Sequence, residues 1–530
     1  MRLFSVTLLL LLAFFPTLEL AAKKKAKIHS STSYDPSKHT QLSLKALYNT
    51  LDPLSISEHL AFYELYPETK EGKAALTRAW ELLNGGALSS DMARLPLPKL
   101  DLQAVISLVT RQSFDAPVKL NEEQLQLIGS IAGRLHNRKL RGSAVWTKKE
   151  VLALSAQEVD IARGLLIDQF EGIENAREEI LQYEASIDLM ALQIQVRIPP
   201  NATDEEKIRQ INRFVFQEMQ FRFPPHSIHA KEIDLYTFLP SVIDSRQGVC
   251  LGVSILYLAL GQRLGLNLEI ITPPGHIYVR YRTQEKIINI ETTARGINLP
   301  SEVYLGINTR KLPLRNMHEV IGMAFVNQAS VSWSQGNYET TVKLYEKALP
   351  YLTDDLHLKM FLGLNYLFID KKKEGIALLK QVEGITFDDD VSPETLADDL
   401  LQGKADIAGI QAIFLPVDET RASIIAKQKE LEEILKRCPT FRAGLLQLAT
   451  TWLQLGRATE AQEILQRYHK LDPNNSTVEY YLSILSAQRL DYNLAWKHLK
   501  HAEHLTAARD HYPRALKGLR ENLRRICPEP

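Results

Sequence analysis

Cysteine is scarce in this sequence of 530 residues, which contains only Cys250, Cys438 and Cys527. Three thiols form at most one disulfide, so a disulfide framework does not hold this fold together. At least one thiol is therefore left over. Cys250 is the candidate for that thiol, because it follows a glycine at the start of the apolar segment "CLGVSILYLALGQRLG" and its surroundings differ from those of the other two.

Charge of one sign is not in excess either. Lysine plus arginine equals aspartate plus glutamate at 63 each. The net charge thus gives no reason to expect a nucleic acid or an acidic surface as a partner. Glycine-rich phosphate loops and the H-E-x-x-H zinc motif are missing from the sequence as well. We therefore expect no cofactor and no metal ion.

One group of histidines is regularly spaced. His498, His501 and His504 lie three residues apart on one predicted helix. Histidines arranged in this way can bind a metal ion. A solvated helix face is the interpretation that we favour from the sequence.

Apolar runs of the length that crosses a bilayer, about 20 residues, are absent. Near the N-terminus, however, an apolar segment from Leu3 to Phe15 follows Arg2 and precedes Ala21 and Ala22. This is the layout of a secretory signal, so we expect export, to a bacterial periplasm. Lysines at 23, 24, 25 and 27 support an alternative, since positive charge after the apolar segment resists translocation. In that case an uncleaved leader anchors the protein in the membrane.

Helical periodicity dominates what the sequence does contain. Amphipathic segments between residues 42 and 192 predict an all-helical region, and Thr203 is the expected N-cap of a helix over 203–220. The helix that begins near Cys250 is apolar on every face, so it should be buried with only its N-terminal end at a cleft. Three strand-like runs follow at 267–272, 276–282 and 286–292. Helices followed by antiparallel strands predict an α+β arrangement.

The C-terminal half contains repeats with a period of about 34 residues. A glycine, an alanine, a tyrosine and a proline recur at matching positions, and these are Gly336, Tyr338, Ala348, Pro439, Gly456, Ala461, Tyr468, Pro473, Ala495 and Ala502. The pattern resembles tetratricopeptide repeats over 324–384 and 418–505. Such repeats stack into a solenoid whose concave face binds a protein or peptide. The alternative is that these repeats only cap the neighbouring domain.

Cys250 is the candidate nucleophile. The first turn of a helix has unpaired N–H groups and a positive dipole end, which favour a thiolate. Gly248 permits a tight turn into this helix, and Asp244 or Ser245 is the expected cap. The alternative is an ordinary buried cysteine.

The strands supply a base and an acid. A hairpin that turns on Thr283 and Gln284 pairs His276 with Glu291, and leaves Ile277, Val279, Ile288 and Ile290 on an apolar face that packs on the helix. The opposite face carries His276, Tyr278, Arg280, Asn289 and Glu291. We therefore expect Glu291 to orient the imidazole of His276, with Asn289 as second choice through a register shift of two residues and Tyr278 in support. Thiol, imidazole and carboxylate form a nucleophile, base and orienting group.

Residues 235–281, "LYTFLPSVIDSRQGVCLGVSILYLALGQRLGLNLEIITPPGHIYVRY", resemble the core of the transglutaminase-like superfamily, in particular its SirB-type branch. Residues 183–223 resemble the segment that precedes this core in the branch, whose members often continue into tetratricopeptide repeats. The resemblance implies a papain-like core with Cys250 as nucleophile, His276 as base and Glu291 at the position of the family's aspartate.

Two functions follow from these patterns. The first is a thiol hydrolase or acyltransferase, such as a peptidase or amidase, that acts on peptide or amide bonds through Cys250, His276 and Glu291. The second is a catalytically inactive scaffold whose repeats mediate protein–protein interaction.

The predicted fold class is a mainly helical, multidomain α+β protein with a papain-like core and a C-terminal helical solenoid. The predicted segments are a signal peptide (1–22), a basic flexible segment (23–41), a helical region (42–182), the transglutaminase-like core (183–323), repeats (324–384), an acidic linker or irregular helical insert (385–417), and repeats with a C-terminal helix (418–530).

Overall fold

A computed structural model describes residues 41–85, 97, 101–112, 115, 118–224, 237–418 and 420–529. The predicted signal peptide and nearly all of the basic segment lie outside the described residues. The described chain is mainly helical and contains one small antiparallel sheet, which confirms the predicted fold class. In the part of the chain that the structure describes, no helix combines the length and the apolar character needed to cross a membrane.

Helices form the N-terminal region. They are α1 (Gln41–Tyr48), α2 (Ile56–Leu65), α3 (Lys70–Leu83), α4 (Gln103–Thr110), α5 (Glu122–Ile131), α6 (Lys148–Ala153), α7 (Ile161–Gln169) and α8 (Ala176–Gln195), with 3₁₀ turns at Ala132–Arg134, His136–Lys139, Arg141–Ala144 and Ala156–Glu158. Capping boxes begin α5, through Asn121 and Gln124, and α6, through Thr147 and Glu150. These reciprocal bonds satisfy N–H groups that a helix start leaves without partners.

The core continues with α9 (Asp204–Asn212), which runs into a π-helical turn (Arg213–Glu218), then α10 (Leu239–Ser245) and α11 (Cys250–Arg263). Thr203 caps α9 in a box with Glu206, as predicted. The predicted cap of α11 is wrong. Ser245 and Asp244 end the preceding helix, Val249 occupies the N-cap of α11, and its side chain makes no capping bond. Asp244 instead accepts a hydrogen bond from the hydroxyl of Tyr183 at 2.8 Å.

Four strands form the sheet in the order β3-β2-β1-β4: β1 (Leu268–Ile271), β2 (Tyr278–Arg282), β3 (Ile287–Ile290) and β4 (Leu314–Arg315). Short 3₁₀ helices at Thr292–Ala294 and Ser301–Tyr304 connect β3 to β4. The sequence predicted the first three strands but not β4, whose two residues are too few for an alternating pattern.

The predicted register of the β2–β3 hairpin is wrong by two residues. Val279 pairs with Ile290 and Arg280 with Asn289. The hairpin turns one residue later than predicted, because the Thr283 N–H bonds the Lys286 carbonyl at 2.9 Å. The side-chain period of a strand is two, so this slip leaves each residue on its predicted face of the sheet.

Helix pairs fill the rest of the chain. They are α12 (Met317–Ser334), α13 (Tyr338–Ala348), α14 (Leu356–Phe368), α15 (Lys372–Leu379), α16 (Leu396–Leu401), α17 (Ile407–Phe414), α18 (Arg421–Arg437), α19 (Arg442–Gln454), α20 (Ala458–Leu471), α21 (Ser476–Gln488), α22 (Tyr492–Ala507) and α23 (Arg514–Ile526), with a 3₁₀ turn at Leu349–Tyr351. Gly336 and Gly456 turn between paired helices with φ of 76° and 71°, a conformation that glycine adopts without strain. The repeat alanines Ala461, Ala495 and Ala502 are fully buried.

The structure is continuous across one predicted domain boundary and within the predicted linker. The boundary at 323 falls inside α12, and this helix packs so closely on α7 that a Cβ at Gly164 would lie 2.7 Å from Cδ1 of Ile321. Within 385–417, α16 and α17 contain buried residues, so this segment is a packed helical insert rather than a free linker.

Buried ion pairs join α7, α8 and α11. Arg263, at the C-terminal end of α11, donates from Nε to Oδ1 of Asp188 at 2.6 Å, and both side chains are fully buried. On the same face of α8, Glu184 accepts from Nε of Arg163 at 2.5 Å. Desolvation cancels much of the attraction in such pairs, but removal of one partner leaves a buried charge without compensation.

We expect Asp188→Ala to lower the free energy of unfolding by about 3–5 kcal/mol, because Arg263 and Arg138 both lose the carboxylate with which they pair. Urea denaturation followed by circular dichroism measures the effect. Glu433→Ala is the matched control, since it removes an ion pair with Lys436 in which both side chains are more than 60% exposed, and it should unfold at the wild-type urea concentration. Equal midpoints for the two variants would contradict this role of the buried pair.

Candidate active site

Cys250 is the first residue of α11, the buried central helix. The turn before it is tight, because a Cβ at Gly248 would lie 2.5 Å from Cγ2 of Val253, so glycine is required there. Cys250 is half-buried, whereas the rest of α11 is almost wholly buried. The thiol therefore stands where the unpaired N–H groups of a helix start are concentrated.

His276 lies in the turn that leads into β2. Gly275 adopts a φ of 72° in this turn, and the His276 N–H bonds the Pro273 carbonyl at 3.1 Å. Its Nε2 is 2.6 Å from Oε2 of Glu291, and the imidazole lies close enough to Cys250 for the two groups to interact electrostatically. The structure thus brings the three predicted residues together, with a hydrogen bond between His276 and Glu291. Because Nε2 bonds the carboxylate, Nδ1 is the ring nitrogen left for the thiol.

The charges of the site favour a protonated imidazole. Burial opposes that charge, but hydrogen bonds and charge interactions with Cys250 and Glu291 outweigh burial and raise the pKa of His276 to about 10. Burial likewise disfavours the charged form of Glu291, yet its hydrogen bonds, first of all from His276, hold the pKa of that carboxyl below its usual range. At neutral pH a positive imidazolium therefore lies between the carboxylate and the thiol.

Glu291 is held at both oxygens. The hydroxyl of Tyr304 donates to Oε2 at 2.6 Å, and that of Thr293 donates to Oε1 at 2.7 Å. The ring of Tyr304 also stacks on His276, with centroids 5.5 Å apart. Tyr304 was missed by sequence reasoning, since it comes from an irregular segment outside the hairpin with no pattern that points to the site.

The glutamate reaches His276 although the two residues are not paired. In the observed register position 291 follows the Val279–Ile290 pair and lies toward Tyr278, two residues from His276. Glutamate has one methylene more than the aspartate of the family pattern, which gives its carboxylate the reach to contact Nε2. The predicted contact is therefore present, while the directly opposed pairing behind it is wrong.

The two supporting residues hold the segment that carries Tyr304. Asn289 lies opposite Arg280 and donates from Nδ2 to the Leu299 carbonyl at 2.5 Å and to Oγ of Ser301 at 3.0 Å. It therefore does not replace Glu291 as the partner of His276. Tyr278 is buried, and its ring stacks on Tyr304 with centroids 5.0 Å apart. Tyr278 therefore supports the imidazole through Tyr304, and Asn289 holds the segment from which Tyr304 comes.

A cavity of about 610 Å³ adjoins the site. Among the described residues that line it, the candidate site contributes His276 and Tyr304 but not Cys250. The opposite wall comes from the repeat helices and the insert, and it includes His357, Phe361, Asp390, Glu394, Tyr480 and Tyr481. The cavity thus connects the imidazole to the repeat region.

Two acidic side chains in this cavity have pKa values that burial raises. Burial, reinforced by the charges of Asp389 and Glu394, raises the pKa of Asp390 to about 8. Burial also raises the pKa of Glu394. A protonated carboxyl both donates and accepts hydrogen bonds, so at neutral pH Asp390 is suited to an uncharged polar group such as a peptide amide.

The fold and site define a helical protein in which a papain-like core with a cysteine, a histidine and a carboxylate is joined to helix-pair repeats. Residues 181–312 match the model of the transglutaminase-like superfamily, so this part of the chain is a transglutaminase-like domain. No curated protein matches the chain.

Solved structures that match include MamA and TTC0263. MamA of Desulfovibrio magneticus RS-1 is 12% identical, with 36% of this chain and 97% of that chain covered and a TM-score of 0.20. TTC0263, a thermophilic tetratricopeptide-repeat protein of Thermus thermophilus, is 15% identical, with 38% and 96% covered and a TM-score of 0.20.

We expect iodoacetamide to alkylate Cys250 at pH 6 faster than Cys438 and Cys527, which are equally half-buried but have no imidazolium partner in the site. In His276→Ala the rate at Cys250 should fall at least about tenfold at pH 6 and recover at alkaline pH, because the charge that favours the thiolate is gone. Peptide mapping by mass spectrometry gives the rate for each cysteine. His504→Ala, an exposed histidine on α22, is the control. Equal rates at pH 6 in wild type and His276→Ala would contradict the pairing.

Proposed function

We propose that this protein is a thiol hydrolase or acyltransferase that acts on peptide or amide bonds, with Cys250 as nucleophile. The observation that carries the proposal is the placement of Cys250, at the start of a buried helix, beside His276, whose Nε2 is hydrogen-bonded to Glu291 at 2.6 Å. Each group has the partner that its role requires: the nucleophile has a base, and the base has an orienting carboxylate.

The first half-reaction forms a thioester. The Cys250 thiolate attacks the carbonyl carbon, and the oxygen that becomes negative is stabilised by N–H groups at the start of α11. The tetrahedral intermediate then collapses, the C–N bond breaks, and the leaving amine takes the proton from His276. Glu291 stays ionised and keeps the ring aligned throughout.

The second half-reaction regenerates the thiol. Water, or an amine in the case of acyl transfer, gives a proton to the neutral His276 and attacks the thioester carbonyl. The C–S bond breaks, and the thiolate is again paired with the imidazolium. The cysteine nucleophile and the cavity, which contains Asp390 as a carboxyl able to hydrogen-bond an amide, support a peptide or protein substrate, for which the repeat helices supply the larger part of the wall.

A scaffold without catalysis is the second candidate function. The observation that favours it is the lining of the cavity, which includes many side chains from the repeat region but not Cys250. In this case the cavity and repeats bind a protein or peptide, and the buried imidazole and carboxylate only stabilise the domain.

We expect the purified protein to hydrolyse members of a library of internally quenched peptides, and Cys250→Ala to lower the rate at least about 100-fold. Cys438→Ala removes a thiol of similar exposure outside the site and should keep the wild-type rate. Fluorescence detects cleavage, and mass spectrometry of acid-quenched samples detects the acyl group on Cys250.

Glu291→Asp gives a sharper test of the geometry within the same assay. It restores the residue of the family pattern but shortens the side chain, so the carboxylate no longer reaches Nε2 of His276 and the rate should fall. If Cys250→Ala leaves both peptide cleavage and acylation unchanged, the enzyme proposal is wrong, and retention of peptide binding in that variant would support the scaffold.

We also propose that the protein is exported. This proposal rests only on the sequence of the first 22 residues. We expect the protein to be recovered from the periplasmic fraction of a bacterial host, with Lys23 at or close to its N-terminus. Cell fractionation with N-terminal sequencing measures this. Recovery with the leader intact in the membrane fraction would support the anchored alternative, and recovery of the intact chain from the cytoplasm would contradict both.

A further inference from the structure

A second cluster of titratable side chains lies in the repeat region, far along the chain from the candidate active site. Its centre is Glu479, in the first turn of α21, whose side chain is 1% exposed. Three histidines direct Nδ1 at its carboxylate: His469 lies 2.5 Å from Oε1, and His498 and His501 lie 2.8 and 3.1 Å from Oε2. Three helices, α20, α21 and α22, thus meet at one carboxylate.

The placement differs from the sequence prediction of a solvated histidine face. His498 is buried, His501 is partly buried and His504 is exposed. The three regularly spaced histidines therefore do not share one environment. The first two lie one helical turn apart on the same side of α22, where both reach Glu479. His469 and Glu479 come from the neighbouring helices and have no spacing in the sequence that joins them to α22.

The donor set fits a late first-row divalent cation. Imidazole nitrogen and carboxylate oxygen are ligands of Zn²⁺, which prefers four of them at about 2.0–2.2 Å in a tetrahedron. Ligand atoms of such a site are about 3.3 Å apart. Those of His469, Glu479 and His498 all lie within 4.8 Å of one another, so small rotations of the rings suffice to admit the ion.

The solvent access to the cluster and the orientation of its histidines also fit a metal ion. His469 and His501 are each 34% exposed and lie at the surface side of the cluster, whereas Glu479 closes its inner side. All three histidines turn the same nitrogen, Nδ1, inward. A third imidazole therefore converges on a carboxylate that His469 and His498 already contact at 2.5 and 2.8 Å.

We propose that Glu479, His469 and His498 form a Zn²⁺-binding site that joins three consecutive repeat helices, with His501, whose Nδ1 lies 3.1 Å from Oε2 of Glu479, nearest to the fourth ligand position. The ion replaces the hydrogen bonds to the carboxylate and displaces the protons that the Nδ1 atoms carry. Because the ligands come from α20, α21 and α22, the ion fixes these helices relative to one another and stabilises this end of the repeat region. The site is independent of the chemistry proposed for Cys250.

Co²⁺ titration of the full-length protein, after treatment with EDTA and removal of the chelator, tests the site. We expect the intense visible absorption of tetrahedral Co²⁺ to saturate at one equivalent per chain and to be abolished by Zn²⁺. Zn²⁺ should also raise the melting temperature of the protein. His504→Ala, on the same helix but outside the cluster, should bind as wild type does.

Glu479→Gln and His469→Gln should each weaken Co²⁺ binding at least about tenfold. The second variant keeps the test valid if the first does not fold, since His469 is partly exposed and its replacement leaves Glu479 with two imidazole partners. Absence of the Co²⁺ band in the wild type, or an unchanged band in a folded His469→Gln, would overturn the proposal. Loss of binding in His504→Ala would do so as well, because the ion would then be held by surface histidines.

Discussion

The burial of one apolar helix determines the arrangement of the core. From Leu251 to Gly261 every residue of α11 is buried, so no side of this helix tolerates water. It is surrounded by α7, α8 and α9 and by strands β1 and β2. Its one charged end, Arg263, is buried as well and is compensated by Asp188. Only the opposite end reaches a more accessible position, and that end is Cys250.

Sequence patterns predicted the features that depend on a residue's own neighbours. The capped helix after Thr203 and the buried helix after Gly248 follow from composition and spacing, and both are present. The hairpin register was predicted wrongly, because the turn sequence "TQEK" contains no glycine or asparagine that selects a turn type. The contact between His276 and Glu291 was still predicted correctly, since a slip of two residues changes neither face of the sheet.

Residues that tertiary packing brings into a cluster could not be predicted from a local sequence pattern. Tyr304 comes from an irregular segment that Asn289 holds to the sheet by a hydrogen bond. Glu479 and His469, which lie around the same site as His498, come from two other helices. In both clusters a buried glutamate is the centre, and the residues around it are far from it in the sequence or outside any periodic element. The desolvation cost of the carboxylate explains why each is surrounded by donors.

The helix α12 is continuous and packs on both the core and the repeats, so it joins the two parts of the protein. Its N-terminal turns pack on α7 of the core, and its later turns pair with α13 of the repeats. A helix shared in this way leaves no hinge at this junction, so the span from the imidazole to the tyrosines across the cavity is set by the fold rather than by a flexible connection. The dimensions of the cavity are therefore fixed by packing, and a cut at this junction would remove wall residues from both halves.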